Sequence, residues 1–179
     1  MSRLLTLPHF VDAAAVLDQV RDAPAAAATV YGGRAAVESN VRRTKKLVVP
    51  QATRDAIVGR LMEEKDAIAA HFGIAVDECE EPQFLRYEAG DFFVAHQDGN
   101  TPLIRDFTLL RKISLVIFLS DPAAYDGGAL VFHWRDAEPE TARVEAGTLI
   151  AFRAETTHEV TPLTRGERFT IAAWYRVRG

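Results

Sequence analysis

The sequence predicts an α+β fold in which an N-terminal helical region, residues 1–80, precedes a β-rich barrel or jelly roll, residues 82–178. Two observations lead to this prediction. Apolar residues recur at helical spacing in two early segments, and eight short segments rich in β-branched and aromatic residues follow them. The 179 residues contain no internal repeat, low-complexity tract or linker. A single domain spanning residues 1–179 is therefore expected.

Two helices are predicted in the N-terminal region. Residues 11–22, VDAAAVLDQVRD, place apolar residues close to helical spacing, and Pro24 follows where the helix should stop. The second helix is predicted from Thr53 to His71, and Gly73 is the type of residue that commonly ends a helix. The stretch between them, TVYGGRAAVESNVRRTKKLVVP, has a Gly pair and a polar middle, which predict a long loop or an irregular hairpin.

Eight strands are predicted after residue 82, because short segments rich in β-branched and aromatic residues are separated there by Gly, Pro, Asp or Asn. The segments are QFLRYEA, DFFVAHQD, KISLVIFLS, GALVFHW, TARVE, GTLIAFRA, HEVTPL and RFTIAAWYRV. Eight short strands after two helices are the basis of the α+β prediction.

The composition is that of an ordinary globular protein, with 48% hydrophobic and 26% charged residues. The net charge of -4 argues against a nucleic-acid binder, because such proteins usually carry a basic surface that neutralises phosphates. The N-terminal stretch MSRLLTLPHFVDAAAV is interrupted by Pro8, His9 and Asp12, so we expect neither a signal-peptide core nor a membrane-spanning segment. A cytoplasmic protein without nucleic-acid or membrane partners is predicted, and the oligomeric state is left open.

The stretch VAHQDGN, residues 94–100, places His96 and Asp98 two positions apart. Residues two apart in a strand point to the same side, so both side chains can reach one ion. A polar turn at a strand end is the alternative. His158 adds a third candidate ligand, since two histidines and one aspartate form the facial set that leaves three coordination positions open on non-haem Fe(II). A structural zinc site would need several cysteines, and the chain has one.

The last predicted strand, RFTIAAWYRV, divides its side chains between two faces. One face carries Arg168, Thr170, Ala172 and Trp174, and the other carries apolar residues suited to packing against the helices. A guanidinium on the interior face is costly unless an anion accompanies it. Arg168 therefore predicts a ligand carboxylate bound by bidentate pairing, with a surface salt bridge on an edge strand as the alternative.

Five segments occur in order over residues 84–176, namely FLRYEAGDFFVAHQD, RKISLVIFLSDP, YDGGALVF, EAGTLIAF and THEVTPLTRGERFTIAAWYR. Together they resemble the prolyl 4-hydroxylase-like branch of the Fe(II)- and 2-oxoglutarate-dependent oxygenases. The resemblance implies a double-stranded β-helix, a jelly roll of two facing sheets buttressed by the N-terminal helices. It also implies His96, Asp98 and His158 as iron ligands and Arg168 as the partner of the 2-oxoglutarate C5 carboxylate.

The resemblance implies further contacts within the pocket. Tyr87, nine residues before the first iron histidine, falls where this family often places a tyrosine that contacts the cosubstrate; a core tyrosine bonded to the backbone is the alternative. Some relatives carry a second such tyrosine where Phe118 stands here, and Ser114 and Thr170 are the candidate substitutes for its hydroxyl. Trp174 falls at the family's tryptophan near the iron, where substrate contact and simple core filling are both open.

The reaction that the resemblance implies is hydroxylation of an unactivated C–H, with succinate and CO2 as coproducts. It requires Fe(II), 2-oxoglutarate and O2, with ascorbate as an optional addition. A prolyl residue or an amino-acid-like compound is the expected substrate. Asp98 favours hydroxylation, because relatives that halogenate lack this carboxylate. The alternative is a catalytically silent, cupin-like jelly roll that binds a metal or a small carboxylic acid.

The segment 31–47 falls where this family often has a mobile loop that closes over substrate. Its basic cluster VRRTKK makes Arg43 a candidate contact for an acidic or carboxylate-bearing substrate, with a solvated basic loop as the alternative. Asn100, in the turn at the mouth of the pocket, and Trp174 complete the predicted substrate contacts. A small-molecule or peptidyl substrate is expected.

Overall fold

The computed structural model describes residues 2–28, 40–102, 106–143 and 145–179, and in these ranges the chain forms two α-helices and antiparallel sheets. The helices are α1 (Ala13–Val20) and α2 (Gln51–Phe72). The strands are β1 (Leu4–Leu7), β2 (Ala25–Ala27), β3 (Arg42–Arg43), β4 (Lys45–Leu47), β5 (Glu78–Cys79), β6 (Gln83–Tyr87), β7 (Phe92–His96), β8 (Arg111–Phe118), β9 (Asp126–Gly127), β10 (Leu130–His133), β11 (Glu140–Thr141), β12 (Leu149–Arg153), β13 (Thr157–Val160), β14 (Leu163–Arg165) and β15 (Arg168–Arg176). Short 3-10 helices cover Phe107–Leu110 and Pro122–Ala124.

Both predicted helices are present, and local chemistry defines their ends. At the start of α1 the Asp12 carboxylate accepts a hydrogen bond from the backbone N–H of Ala15 at 3.0 Å, as an N-cap residue does. α2 ends at Gly73, whose φ of +63° is the left-handed conformation that glycine adopts without steric cost. Neither helix in the described ranges is long and apolar enough to cross a lipid bilayer.

Two sheets face each other and form the double-stranded β-helix that the resemblance implied. The major sheet has the strand order β1-β12-β8-β15-β6-β4-β2, with β5 also paired to β15. The minor sheet has the order β11-β10-β13-β7-β3, and β14 pairs with β9 apart from both. Neighbouring strands run antiparallel throughout the described residues.

Hydrophobic residues form two cores, one on each face of the major sheet. The first lies between the helices and the sheet, and its buried members include Leu61, Ile68, Phe84, Ile117 and Ile171. The second lies between the two sheets, and its buried members include Leu85, Phe118, Phe132, Phe152 and Val160. Central strands such as β8 are thus buried on both faces, which explains their continuous apolar sequences.

Of the two alternatives predicted for the segment before α2, a long loop or an irregular hairpin, the described part fits the irregular hairpin, because β4 pairs antiparallel with β2. Arg42 pairs with Phe93 of the minor sheet, whereas Lys46 pairs with Leu85 of the major sheet. The chain crosses between the sheets at Thr44, a buried residue whose hydroxyl donates to a backbone carbonyl of β6 at 2.9 Å. Cations on the outward positions gave these two short strands the sequence of a polar loop. Residues 29–39, which include the rest of the predicted loop, lie outside the described ranges.

The predicted strands of the β-rich region are present with altered limits. In TARVE only the first residue is in a strand, as part of β11, and Val144 lies outside the described residues. HEVTPL divides into β13 and β14 around Pro162, because proline cannot donate to a strand ladder. The sequence analysis missed β1, which pairs with β12 at the edge of the major sheet.

A pair of neighbouring substitutions in α2 tests how the helix packs. Leu61 is fully buried against the major sheet, while the adjacent Met62 is 37% exposed. Leu61→Ala should lower the free energy of unfolding by about 2–5 kcal/mol, because it leaves a cavity in the core. Met62→Ala should cost less than about 1 kcal/mol. Urea denaturation followed by circular dichroism measures both, and equal losses would contradict the described packing.

Candidate metal centre

The minor sheet brings the predicted metal ligands together. His96 at the end of β7 and His158 in β13 are partners directly opposite each other in the antiparallel ladder. Asp98 follows two residues after His96, and the ligand atoms of the three side chains all lie within 4.8 Å of one another. Asp98 Oδ1 is 3.4 Å from His96 Nε2, and Asp98 Oδ2 is 3.5 Å from His158 Nε2.

Backbone carbonyls select the tautomer of both histidines. His96 Nδ1 lies 2.8 Å from the carbonyl oxygen of Val94, and His158 Nδ1 lies 2.9 Å from that of Thr156. A carbonyl oxygen only accepts hydrogen bonds, so each Nδ1 carries the proton. Each Nε2 is the ring nitrogen on the Asp98 side, and in the neutral imidazole it would carry the lone pair that a metal ion requires.

The charge states of these side chains also suit a cation. Burial raises the pKa of the Asp98 carboxyl, but the imidazoles of His158 and His96 and the guanidinium of Arg111 outweigh it, and the net pKa lies well below its usual range. Burial, followed by the nearby His96, lowers the pKa of His158 to about 4. Near neutral pH the site therefore offers an ionised carboxylate and a neutral His158 imidazole.

Ser114 supports this carboxylate from the facing sheet. Its hydroxyl donates a hydrogen bond to Asp98 Oδ2 at 2.7 Å, across from Trp174 on the neighbouring strand. Ser114 was predicted as a possible cosubstrate contact, but its hydroxyl bonds to Asp98, a candidate metal ligand. Two imidazoles, one carboxylate and its hydrogen-bond donor match the donor set of a non-haem Fe(II) site with open positions.

A cavity opens beside the three ligands, between the two sheets. One face of β15 contributes Arg168, Thr170, Ala172 and Trp174 to its wall, as strand alternation predicts. The opposite face of the same strand packs into the core beneath the helices. The aspect of β15 that the sequence assigned to the interior therefore lines the space next to the metal centre.

Arg168 is the unusual residue of this wall. It is 2% exposed, and its Nε has no hydrogen-bond partner among the described residues. The guanidinium carbon lies 5.2 Å from the ring centroids of both Tyr87 and Phe118. No carboxylate of the described chain lies within ion-pair distance of it. A buried cation in this state is costly, and an incoming carboxylate would remove the cost.

The other predicted cosubstrate contacts lie close to Arg168. Tyr87 is directly opposite Arg168 in the β6–β15 ladder, and its hydroxyl makes no hydrogen bond within the described part of the chain. Thr170, 3% exposed, also lines the cavity, two residues further along β15. Phe118 is opposite Thr170 and contributes only a ring. Hydroxyls of Tyr87 and Thr170 thus remain candidates for binding the same anion as Arg168.

Trp174 lies in the cavity wall, further along β15 from Arg168. It is 6% exposed, and its indole Nε1 is buried without a hydrogen-bond partner in the described structure. The Arg111 guanidinium stacks on the indole at 3.7 Å from the ring centroid. Glu80 accepts two hydrogen bonds from that guanidinium, at 2.9 and 2.7 Å. The ring is therefore held rigidly while its N–H lacks an acceptor.

The other two predicted substrate residues do not line the described cavity. The Arg43 side chain is 52% exposed and lies 3.9 Å from Asp91 on the outside of the fold. Asn100 is half-buried and bonds to Lys112 and Glu155. These placements do not support the predicted contacts.

Several polar residues that were not predicted from the sequence also line the cavity, among them Arg42 and Gln83. Arg42, the neighbour of Arg43, is 7% exposed and lies over the ring of Phe93 at 4.8 Å. Its NH2 donates to Gln83 Oε1 at 3.5 Å. The sequence signal that could have identified Arg42 is the two-residue alternation of a strand, because Arg42 and Thr44 are the buried members of an alternating segment.

The fold and the site define a jelly-roll protein with a His–Asp–His cluster that could hold a metal ion. In comparisons with known families, residues 82–176 match the 2OG-Fe(II) oxygenase superfamily. A PKHD-type hydroxylase of Paraburkholderia phytofirmans is 32% identical over 180 residues, which cover 96% of this chain and 77% of that protein. This chain therefore belongs to the 2OG-Fe(II) oxygenase superfamily.

Other similarities extend over different lengths. A PKHD-type hydroxylase of Burkholderia lata is 38% identical over 116 residues, which cover 62% of this chain and 51% of that protein. The chain thus spans about half the length of several curated relatives that it matches. A prolyl-4-hydroxylase of Pseudomonas putida superposes with a TM-score of 0.76 at 23% identity, covering 99% of this chain and 94% of that one. A prolyl hydroxylase of Trichoplax adhaerens gives 0.75 at 15% identity, with 97% and 83% covered.

The two faces of β15 predict opposite effects on stability. Arg168→Met removes a buried guanidinium that has no anion among the described residues, so the free energy of unfolding of the ligand-free protein should stay equal or rise. Phe169→Ala, one residue along, removes a side chain that is 5% exposed in the main core and should cost about 3–5 kcal/mol. Urea denaturation measures both values. A large loss in Arg168→Met would mean that the guanidinium stabilises the ligand-free fold.

Proposed function

We propose that this chain is an Fe(II)- and 2-oxoglutarate-dependent dioxygenase that hydroxylates an unactivated C–H and releases succinate and CO2. The observation that carries the proposal is the coexistence, in one cavity, of the facial His–Asp–His set and a buried Arg168 whose Nε has no partner among the described residues. The family supports both halves of it, since its members are named for iron and 2-oxoglutarate. The comparisons do not favour the silent, cupin-like alternative.

His96, Asp98 and His158 would hold the metal. Bound Fe(II), together with 2-oxoglutarate and O2, supplies the oxidising power for C–H hydroxylation, and ascorbate is an optional addition. The chain contributes geometry and charge. Its imidazoles present lone pairs without rearrangement, Asp98 stays ionised, and the ladder keeps both histidines at fixed spacing.

Arg168 defines the cosubstrate end of the cavity. A guanidinium pairs well with a carboxylate, and this one has no anion among the described residues. Tyr87 and Thr170 add hydroxyl donors beside it, which would secure the C5 carboxylate of 2-oxoglutarate. The other end of 2-oxoglutarate would then point along the inner face of β15 toward the metal.

The substrate end lies further along β15. Ala172 is opposite Gln83, four residues from the Arg168–Tyr87 pair, a separation of roughly 13 Å at the usual rise per residue. Trp174 lies beyond it, and its buried N–H lacks an acceptor within the described chain. A carbonyl group of a prolyl residue or an amino-acid-like substrate would provide that acceptor. Arg42 lines the same space and is a second candidate contact.

Small-molecule and peptidyl substrates both fit this proposal, and the similarity to prolyl hydroxylases favours a prolyl or amino-acid-like C–H. The net charge of -4 does not suit a nucleic-acid partner. We place the reaction in the cytoplasm, without a membrane partner. Closure of segment 31–47 over the substrate is not included in the proposed function, because the described part of that segment contains β3 and β4.

Anaerobic spectroscopy tests the metal and cosubstrate sites. Fe(II) with 2-oxoglutarate should give a visible charge-transfer band in the wild type and none in His96→Ala. His133→Ala is the matched control: His133 lies in the same sheet but pairs with Glu159 at 3.0 Å, so the band should persist. Arg168→Met should cost about 2–5 kcal/mol of 2-oxoglutarate binding free energy, read from titration of the band. A wild type without a band would exclude the proposed chemistry.

Succinate formation tests the substrate end. Proline-containing peptides and free amino acids are screened for stimulation of succinate release, and KM is measured for the best compound. Trp174→Phe removes one donor and should raise that KM by roughly 2–10-fold, the value of one hydrogen bond, with the anaerobic band unchanged. Trp134→Phe is the control, because the Trp134 indole bonds to Glu140 at 3.2 Å on the surface. Equal effects of the two variants would remove Trp174 from the substrate site.

A further inference from the structure

Asp98 lies in a loop, and its position needs restraints that the two histidines in the sheet do not need. His96 and His158 are partners within the minor sheet, so the ladder determines their separation. Asp98 lies beyond the last residue of β7, where ladder hydrogen bonds have ended. A facial centre needs all three ligands at fixed positions, and the carboxylate must therefore be positioned by other contacts.

Backbone contacts provide the first restraint. The N–H groups of Asp98 and Gly99 both donate to the carbonyl oxygen of Ala154, at 2.9 and 3.1 Å. A Cβ at Gly99 would lie 2.4 Å from the Thr108 carbonyl oxygen and 2.6 Å from Arg111 Cβ, so only glycine lets the backbone approach this closely. The loop after β7 is thereby fixed against the turn that precedes β13.

Two side chains that flank Asp98 reach the same turn. Gln97 Nε2 donates to the backbone carbonyl of Glu155 at 2.7 Å and approaches Thr157 Oγ1 at 3.4 Å. Asn100 Nδ2 donates to the Glu155 carboxylate at 3.0 Å. Glu155 lies three residues before His158, so these bonds join the loop of one ligand to the turn that leads to another.

The side-chain amide of Asn100 can donate and accept a hydrogen bond at the same time, as this position requires. Its Oδ1 accepts from Lys112 Nζ at 2.6 Å while its Nδ2 donates to Glu155, so one amide connects a cation on β8 with an anion beside the minor sheet. Aspartate could not donate to a carboxylate, and alanine could do neither. The backbone φ of +52° is also a conformation that asparagine tolerates better than most residues.

We propose that Gln97, Asn100 and Glu155 form a clasp, the Asp98 clasp, that holds the Asp98 carboxylate at coordinating distance from the two histidines. These are positioning residues, and the inference rests on the metal centre of the proposed function. Both polar atoms of the Asn100 side chain are engaged within the protein, which explains why it lies away from the cavity. Gln97 lies beyond the end of β7 and lines the cavity, and its side-chain amide contacts the same turn.

Cobalt titration tests the clasp without any turnover. Co(II) binding is followed by visible absorbance at a temperature where every variant is folded, as judged by circular dichroism. Asn100→Gly removes the side chain and keeps the left-handed backbone accessible, and we expect it to raise the Co(II) dissociation constant by roughly 10–100-fold. Gln97→Ala should act in the same direction. A merely structural role would lower the melting temperature and leave the dissociation constant within about twofold of wild type.

Matched controls use the same residue types elsewhere. Gln51→Ala removes a glutamine that bonds only to Asp55 on the surface of α2. Glu159→Ala removes a carboxylate next to His158 in sequence that pairs with His133 instead. Neither should change the Co(II) dissociation constant. A comparable change in either control would show that the effect is not specific to the clasp and would overturn the proposal.

A double-mutant cycle supplies the decisive measurement. If Asn100 and Glu155 act as one unit, Asn100→Gly with Glu155→Ala should bind Co(II) about as weakly as the weaker single variant. Multiplicative effects of the two substitutions would overturn the clasp. A wild-type protein that does not bind Co(II) would instead contradict the metal centre itself, so the two failures are distinguishable.

Discussion

The antiparallel pairing of β7 with β13 is the interaction on which the site depends. It sets His96 opposite His158, at the short separation of directly paired residues, so that two imidazoles reach one ion without any movement. A shift of one residue would turn one histidine to the other side of the sheet. The carbonyls of Val94 and Thr156, each two residues before a histidine, accept hydrogen bonds from Nδ1 and so favour the tautomer in which Nε2 is free for a metal. The backbone of β7 and β13 therefore determines both the spacing of the two histidines and the tautomer of their rings.

The site also depends on β15, whose two faces have different roles. Its outer face packs into the core beneath the helices through residues such as Phe169 and Ile171. Its inner face exposes Arg168 to the cavity, where the charge is unfavourable until an anion binds. Burial of the hydrophobic face offsets the free-energy cost of burying the Arg168 charge on the inner face. The nine-residue strand pairs with β6 and β8, and this pairing keeps both faces in register. Helices that are remote from the metal thus contribute to the site by stabilising the strand that carries Arg168.

Period two and segment order were enough to predict which three candidate metal ligands come together, the buried position of Arg168 and the interior face of β15, although Asp98 lies beyond the end of β7 and the β7–β13 ladder contains a register shift. The sequence could not show that Asn100 and Ser114 bond to Glu155 and Asp98, since hydrogen-bond partners 55 and 16 residues away are set by tertiary packing. The strands at Arg42–Leu47 were missed for a related reason. Each is two or three residues long and carries outward cations, and its assignment comes from pairing with β7 and β6 rather than from local preference.

Two guanidiniums near the candidate metal centre differ in their availability to a carboxylate, and under the proposed function this difference would orient the cosubstrate. Arg111 is neutralised by a bidentate pair with Glu80 and stacks on Trp174, so a second carboxylate gains little by binding there. The Arg168 Nε has no partner among the described residues, and Tyr87 offers its hydroxyl beside it. Under the proposed function, a dicarboxylate would bind most favourably with one end at Arg168. Its other end would then extend toward the metal, and the substrate would occupy the region around Trp174, where a neutral donor and an aromatic surface suit an uncharged prolyl-like group.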